Sequence, residues 1–194
     1  MKIYTGIDNN ELQALAKKAY EIAAGHGFHD ERKSVEHWLM LVITEIGEMV
    51  DADRKMKRAM MSMYEKNITE PQPENRKAEH RKFCFETFVK NSIEDEMADV
   101  FIRLLDLAGD IGMVFDKYNE IQYHREWQKY RFTENAFALV KALTKETYSP
   151  ERRILFGLQY IHKWAFAMNI DLMKHVELKM QYNAERERLH GKKY

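Results

Sequence analysis

The chain has 194 residues, 45% of them hydrophobic and 12% aromatic, and its 31 Lys and Arg balance 31 Asp and Glu. That is one domain's worth of material, and a neutral total argues against a protein built to wrap nucleic-acid polymers or adhere to anionic lipid, since both need a basic surplus. The longest apolar run, Trp38 to Ile43, spans six residues against the roughly 20 a membrane helix requires, the start lacks an apolar signal core, and the single Cys84 supports neither a disulfide framework nor a cysteine zinc site. A cytoplasmic protein with no membrane partner is expected.

Only three prolines and eight glycines interrupt the chain, and Gly47 is the sole glycine between Gly27 and Gly109. Together with twelve methionines and many Leu, Ala, Glu and Lys, whose unbranched side chains lose little rotamer freedom in a helix, this predicts an all-α bundle of five to six helices. The apolar periodicity places them at about residues 9–25, 34–66, 78–111, 115–145, 151–168 and 170–189. Gly25-His-Gly27 closes the first, Pro71 and Pro73 separate the second from the third, and Thr147-Tyr-Ser-Pro150 precedes the fifth. No composition shift divides the chain, so residues 1–194 read as one domain.

Acids belong on the solvated face of an amphipathic helix, so the informative ones are those embedded among residues that ought to be core. The second helix runs Trp38-Leu-Met-Leu-Val-Ile-Thr-Glu45-Ile-Gly-Glu48-Met-Val-Asp51, and the third runs Ile93-Glu-Asp-Glu96-Met-Ala-Asp99-Val-Phe-Ile-Arg-Leu-Leu. Glu45 and Glu48 share a helical face, as do Glu96 and Asp99. Acid pairs at this spacing also occur at Asp8/Glu11 and Glu48/Asp51, so the spacing alone carries no signal; the apolar context does. Gly47, between one pair, offers room for a close neighbour. Four carboxylates converging between packed helices repel unless a cation is bound, and hard oxygen ligands suit Mg²⁺, with Mn²⁺ as a substitute. The plainer reading pairs these acids at the rim with Arg54, Lys55 or Arg103.

Glu45-Ile-Gly-Glu48 followed by Glu96-Met-Ala-Asp99 resembles the E-x-x-E and E-x-x-D motifs of the MazG-like all-α nucleoside triphosphate pyrophosphohydrolases, a superfamily that includes the dimeric dUTPases. The wider stretches Leu39 to Arg54 and Ile93 to Gly109 look like the two motif helices, and Lys179-Met-Gln-Tyr-Asn183-Ala-Glu-Arg186 is similar to the helix that follows them in MazG-like members. The resemblance implies a four-helix core with inserted helices, at about residues 55–90 and 112–150. It also implies a Mg²⁺-dependent enzyme that cleaves a (deoxy)nucleoside triphosphate, canonical or non-canonical, to a monophosphate and pyrophosphate. Its metal ligands and catalytic groups would be Glu45, Glu48, Glu96 and Asp99.

Lys179, Asn183 and Arg186 fall at i, i+4 and i+7, so one face could present donors to a triphosphate; the alternative is a solvated C-terminal face. Trp38, seven residues before Glu45, could stack on a base or simply belong to the core. Phe115, Tyr118, Tyr123, Trp127, Tyr130, Phe132 and Phe137 would build a substrate lid, a subunit contact or satellite core. Long amphipathic helices with this many aromatics suggest a homodimer.

Other chemistries find less support. His29-Asp30 suggests an HD phosphohydrolase site, but the only earlier histidine is His26. A ferritin-like di-iron site needs two Glu-x-x-His pairs, and Glu187/His190 is alone. No Walker loop, nucleophile elbow or dinucleotide glycine pattern is present. Basic clusters at Arg54 to Arg58, Arg76 to Lys82 and Lys192-Lys193 are interrupted by acids or short and read as solvated faces. The competing functional class is a non-catalytic helical module that binds a protein partner.

Overall fold

A computed structural model describes residues 6–116 and 126–191; Tyr118, Tyr123, Lys192, Lys193 and Tyr194 lie outside the described residues. The all-α expectation holds: eight α-helices and no strand occur among the described residues. They are α1 (Asn9–Gly25), α2 (Val35–Arg54), α3 (Met61–Ile68), α4 (Lys77–Phe88), α5 (Ile93–Asp110), α6 (Phe132–Leu143), α7 (Pro150–Ala167) and α8 (Leu172–Ala184). No described helix is long and apolar enough to cross a membrane.

Helix starts follow local chemistry. Asp8, Ser34, Ser92, Ser149 and Asp171 each accept a backbone N–H of the first turn, which satisfies donors that a helix start otherwise leaves orphaned. Pro150 follows its cap as the first residue of α7, where a missing N–H costs nothing.

Two long helices expected from the periodicity are each divided in two, which raises the helix count above five to six. The predicted 34–66 helix stops at Arg54, where Met56 adopts a left-handed φ of 53° and Lys57 N–H returns to Ala52 C=O at 2.9 Å. The predicted 78–111 helix breaks at residues 89–92, where Asn91 has φ 58° and Ser92 caps α5. The two breaks are fastened together. Met60 N–H donates to Phe88 C=O at 2.8 Å and Ile93 N–H to Lys57 C=O at 3.0 Å. The buried Glu94 carboxylate accepts from Ala59 N–H at 2.9 Å and Arg58 Nε at 2.6 Å. Of the predicted 115–145 helix, the described part is helical only as a 3₁₀ turn at Trp127–Lys129 and α6.

α5 is the axis of the fold. From Ile93 to Ala108 it buries residues on every side, including Met97, Phe101, Leu104 and Leu105, because α1, α2, α7 and α8 all pack around it. An all-round apolar helix needs such a shell. α3 and α4 form a side hairpin whose own small core is Tyr64, Cys84, Phe85, Val89 and Tyr182. Phe115, Trp127 and Phe132 join the main core, Trp127 and Phe132 against Trp164, whereas Phe137 and Tyr130 stay exposed.

Two glycines decide how closely α5 is approached. A Cβ on Gly109 would lie 2.6 Å from Tyr20 Cβ and 3.1 Å from Ala16 C=O, both on α1, and one on Gly157 would lie 2.8 Å from a Leu104 methyl. Gly47 does not play the role expected of it, since nothing lies within 4 Å of the corresponding position. Gly47→Ala should therefore stabilise the protein by ~0.5–1 kcal/mol through helix propensity, whereas Gly109→Ala should cost ~1–3 kcal/mol by overpacking against backbone that cannot swing away. Thermal or urea unfolding of both variants reads the opposite signs.

Candidate metal and anion site

Along α5, Glu96, Asp99, Arg103 and Asp106 follow one another at i, i+3, i+7 and i+10 and so project toward one side of the helix. They line a cavity of about 220 Å³ that α2 closes with Trp38, Glu45 and Glu48, α8 with Lys179 and Asn183, and α1 with Ala19, Ile22 and Ala23; Arg186 joins them from the turn beyond α8, which stops at Ala184 and not at about 189 as the periodicity predicts. All eight residues singled out in the sequence thus line a single cavity.

Three of the four acids form the tightest group: oxygens of Glu45, Glu48 and Glu96 lie within 4.8 Å of one another. Glu45 and Glu96 are buried, and Glu48 is exposed. Asp99 lines the same cavity, but its Oδ2 takes Lys179 Nζ at 2.6 Å. The buried Lys179 ammonium bridges from there to Asp95 Oδ1 at 2.8 Å. Arg103 crosses to the other helix, donating from Nε to Glu45 Oε1 at 2.5 Å, instead of serving Asp99 one turn back. Lys55 pairs with Asp51, away from the cluster.

Burial, reinforced by the neighbouring Asp99 and Asp95 carboxylates, pushes the Glu96 carboxyl up to about 9. Burial and Asp99 also raise Glu45, against the pull of Arg103. Lys179 shows the reverse balance: burial disfavours its charge, but Asp99 and Asp95 outweigh that and hold the ammonium above the ordinary lysine range. The site is therefore short of positive charge at Glu96, which pairs with no Lys or Arg among the described residues, and well supplied at Asp99.

Three buried polar atoms on this cavity have no hydrogen-bond partner among the described residues: Glu96 Oε2, Asn183 Oδ1 and Trp38 Nε1. A buried polar group left unpaired costs about 1–3 kcal/mol. A divalent cation fits this donor set, since hard carboxylate oxygens can reach a common point and one of them is unpartnered.

At the far end of the cavity, His29 bonds through Nε2 to Asp106 Oδ1 at 2.7 Å and through Nδ1 to Asp110 Oδ1 at 3.2 Å. Its ring lies against Tyr20 and Trp38, with centroids 4.5 and 4.8 Å away. Burial opposes its charge, yet the two aspartates hold the imidazolium above the usual histidine value. His29 and Asp30 do not act together, because Asp30 pairs with Arg188.

Sequence reasoning missed Asp95, Asp106 and Lys90 as site residues, and weighed Arg103 only as a rim ion-pair partner. Asp95 carried one available signal: Ser92-Ile-Glu-Asp95 is a capping-box pattern, and the Asp95 carboxylate does accept Asn91 N–H at 2.8 Å while Ser92 Oγ accepts Asp95 N–H at 3.2 Å. Asp106, seven residues beyond Asp99, carried none. No protein family, curated protein or solved structure matches the chain.

The raised Glu96 value fixes the sign of a pH effect. Above a glutamate's ordinary 4.5 the unfolded chain has lost this proton, while the folded state keeps it until about 9, so wild-type stability from this group declines across that window. Gln carries no proton to lose. In EDTA, Glu96→Gln should gain on wild type as pH rises from 5 to 9, by roughly 3 °C or more in Tm, about 1 kcal/mol for a chain of this size. Melting curves across that range check it.

Proposed function

We propose that the protein is a Mg²⁺-dependent nucleotide pyrophosphohydrolase of the MazG-like kind, cleaving a (deoxy)nucleoside triphosphate to a monophosphate and pyrophosphate. The observation that carries the reading is the grouping of Glu45, Glu48 and Glu96 in one cavity with Lys179, Asn183 and Arg186. An acidic cluster and a cationic wall facing each other are what a metal-bridged polyphosphate requires.

In this proposal Glu45, Glu48 and Glu96 would hold the cation, and Asp99 lines the same cavity. Such a cation supplies neutralisation of phosphate oxygens and acidification of a water. The chain's own groups do the rest. Lys179 and Arg186 bring positive charge to the phosphates, and the side chain of Asn183 adds polar contact. Arg103, which donates to Glu45, adds a guanidinium to the same wall. Trp38 and the apolar side chains of α1 exclude water from the other end. A homodimer in the cytoplasm remains part of the proposal.

The competing reading is a non-catalytic helical module, and one observation favours it: Arg103 and Lys179 pair with Glu45 and Asp99, two of the four acids. One experiment separates the two. Incubation with a panel of nucleoside triphosphates and Mg²⁺ should release pyrophosphate, and Glu48→Gln should reduce turnover at least 100-fold while leaving Tm within about 2 °C, since Glu48 is exposed. Intact nucleotides throughout, together with background heats in a Mg²⁺ titration, would leave the module.

A further inference from the structure

The buried carboxylates between α2 and α5 fall into two sets. Glu45, Glu48 and Glu96 bring oxygens within 4.8 Å of one another, and Glu96, 2% exposed, keeps Oε2 without a partner among the described residues. Arg103 reaches this set at Glu45 Oε1. Asp95 and Asp99, one helical turn apart on α5, make the second set. A single ammonium joins them: Lys179 Nζ lies 2.8 Å from Asp95 Oδ1 and 2.6 Å from Asp99 Oδ2.

The second set is closed where the first is open. The Asp95 side chain is wholly buried, and its other oxygen, Oδ2, accepts Asn91 N–H at 2.8 Å, so both of its oxygens are committed. Asp99 has only Oδ1 outside the bridge among the described residues. The Lys179 side chain is itself buried, and its ammonium lies 5.6 Å from the centre of the Phe85 ring, a favourable setting for a cation. Withdrawing that ammonium would strand the Asp95 carboxylate in the core, and breaking a buried pair from one side is strongly destabilising. Sites that displace groups at phosphorus often hold two metal ions close together, bridged by neighbouring carboxylates. Here the carboxylates beside the first set already hold a cation, and it belongs to the chain.

We propose that Lys179 takes the place of a second metal ion: the chain binds one divalent cation, on Glu45, Glu48 and Glu96, and the buried ammonium stays on Asp95 and Asp99. An ammonium carries one charge and has no coordination position for water, so it neutralises the aspartates and adds positive charge to the cavity but cannot acidify a nucleophile. Lys179 is a positioning and electrostatic residue, and activation of water falls to the first set alone. This inference deepens the hydrolase reading and rests on the metal seat proposed there.

The test titrates Mn²⁺ alone into the full chain and counts bound ions from the electron paramagnetic resonance of the free ion. Wild type should bind one Mn²⁺ per chain. Lys179→Met keeps an unbranched stem, removes the charge and frees Asp95 Oδ1 and Asp99 Oδ2; it should bind two per chain and show the broadened frozen-solution spectrum of a coupled pair. Two ions on the wild-type chain, or one on a Lys179→Met variant whose melting curve shows it folded, overturn the inference and leave the hydrolase reading standing. If Lys179→Met does not fold, wild-type crystals grown with Mn²⁺ decide: the inference requires a single anomalous peak per chain with Lys179 Nζ still between the two aspartates, and a second peak on Asp95 or Asp99 overturns it. A folded wild type that binds no Mn²⁺ removes both readings together.

Discussion

The structure depends on one electrostatic constraint: carboxylates buried in the contact between α2 and α5 must be neutralised or bound. Glu45 on α2 and Asp95 and Glu96 on α5 are all buried. Taking such ions out of water costs several kcal/mol each unless a partner offsets it. Two internal cations do part of this. Arg103 reaches Glu45 across the helix pair, and Lys179 on α8 reaches both Asp95 and Asp99. The lysine bridge therefore docks α8 on α5 electrostatically as well as through its apolar contacts, and it sets the cationic wall facing the acids. Glu96 is left over, with an orphaned oxygen and a proton retained to about 9.

Much of this was legible in the chain because it rests on periodicity. Acids three apart inside an apolar stripe must share a face, and a face so flanked must be buried. Glu45, Glu48, Glu96 and Asp99 do line one cavity, though Glu48 stays exposed, and Lys179 and Asn183 of α8 line it too; Arg186 reaches it from beyond the end of α8, so helical spacing does not account for its place. Trp38 shows that two readings need not exclude each other: it is buried in the core and still lines the cavity.

The failures have equally physical causes. The breaks after Arg54 and before Ser92 carry no glycine or proline; they rest on Met56 and Asn91 in left-handed conformations and on the buried Glu94, which fastens one break to the other. Such cross-connection is tertiary and invisible to local pattern. Gly47 looked like a place of close approach, yet the close approaches are at Gly109 and Gly157, where helices meet α5. The His29–Asp106 pair joins the turn after α1 to α5, and nothing in either local sequence announces it. The equal counts of acids and bases over the chain hide a cavity that gathers five acids, Glu45, Glu48, Glu96, Asp99 and Asp106, with four cations, Lys90, Arg103, Lys179 and Arg186.

The central claim is that Glu45, Glu48 and Glu96 together form the seat of a divalent cation. Crystals grown with Mn²⁺ and measured at the manganese absorption edge test it most directly. The account predicts an anomalous peak at ligand distance from carboxylate oxygens of all three residues. A well-ordered cavity without such a peak, with Arg103 still on Glu45 and Lys179 still on Asp99, would contradict it.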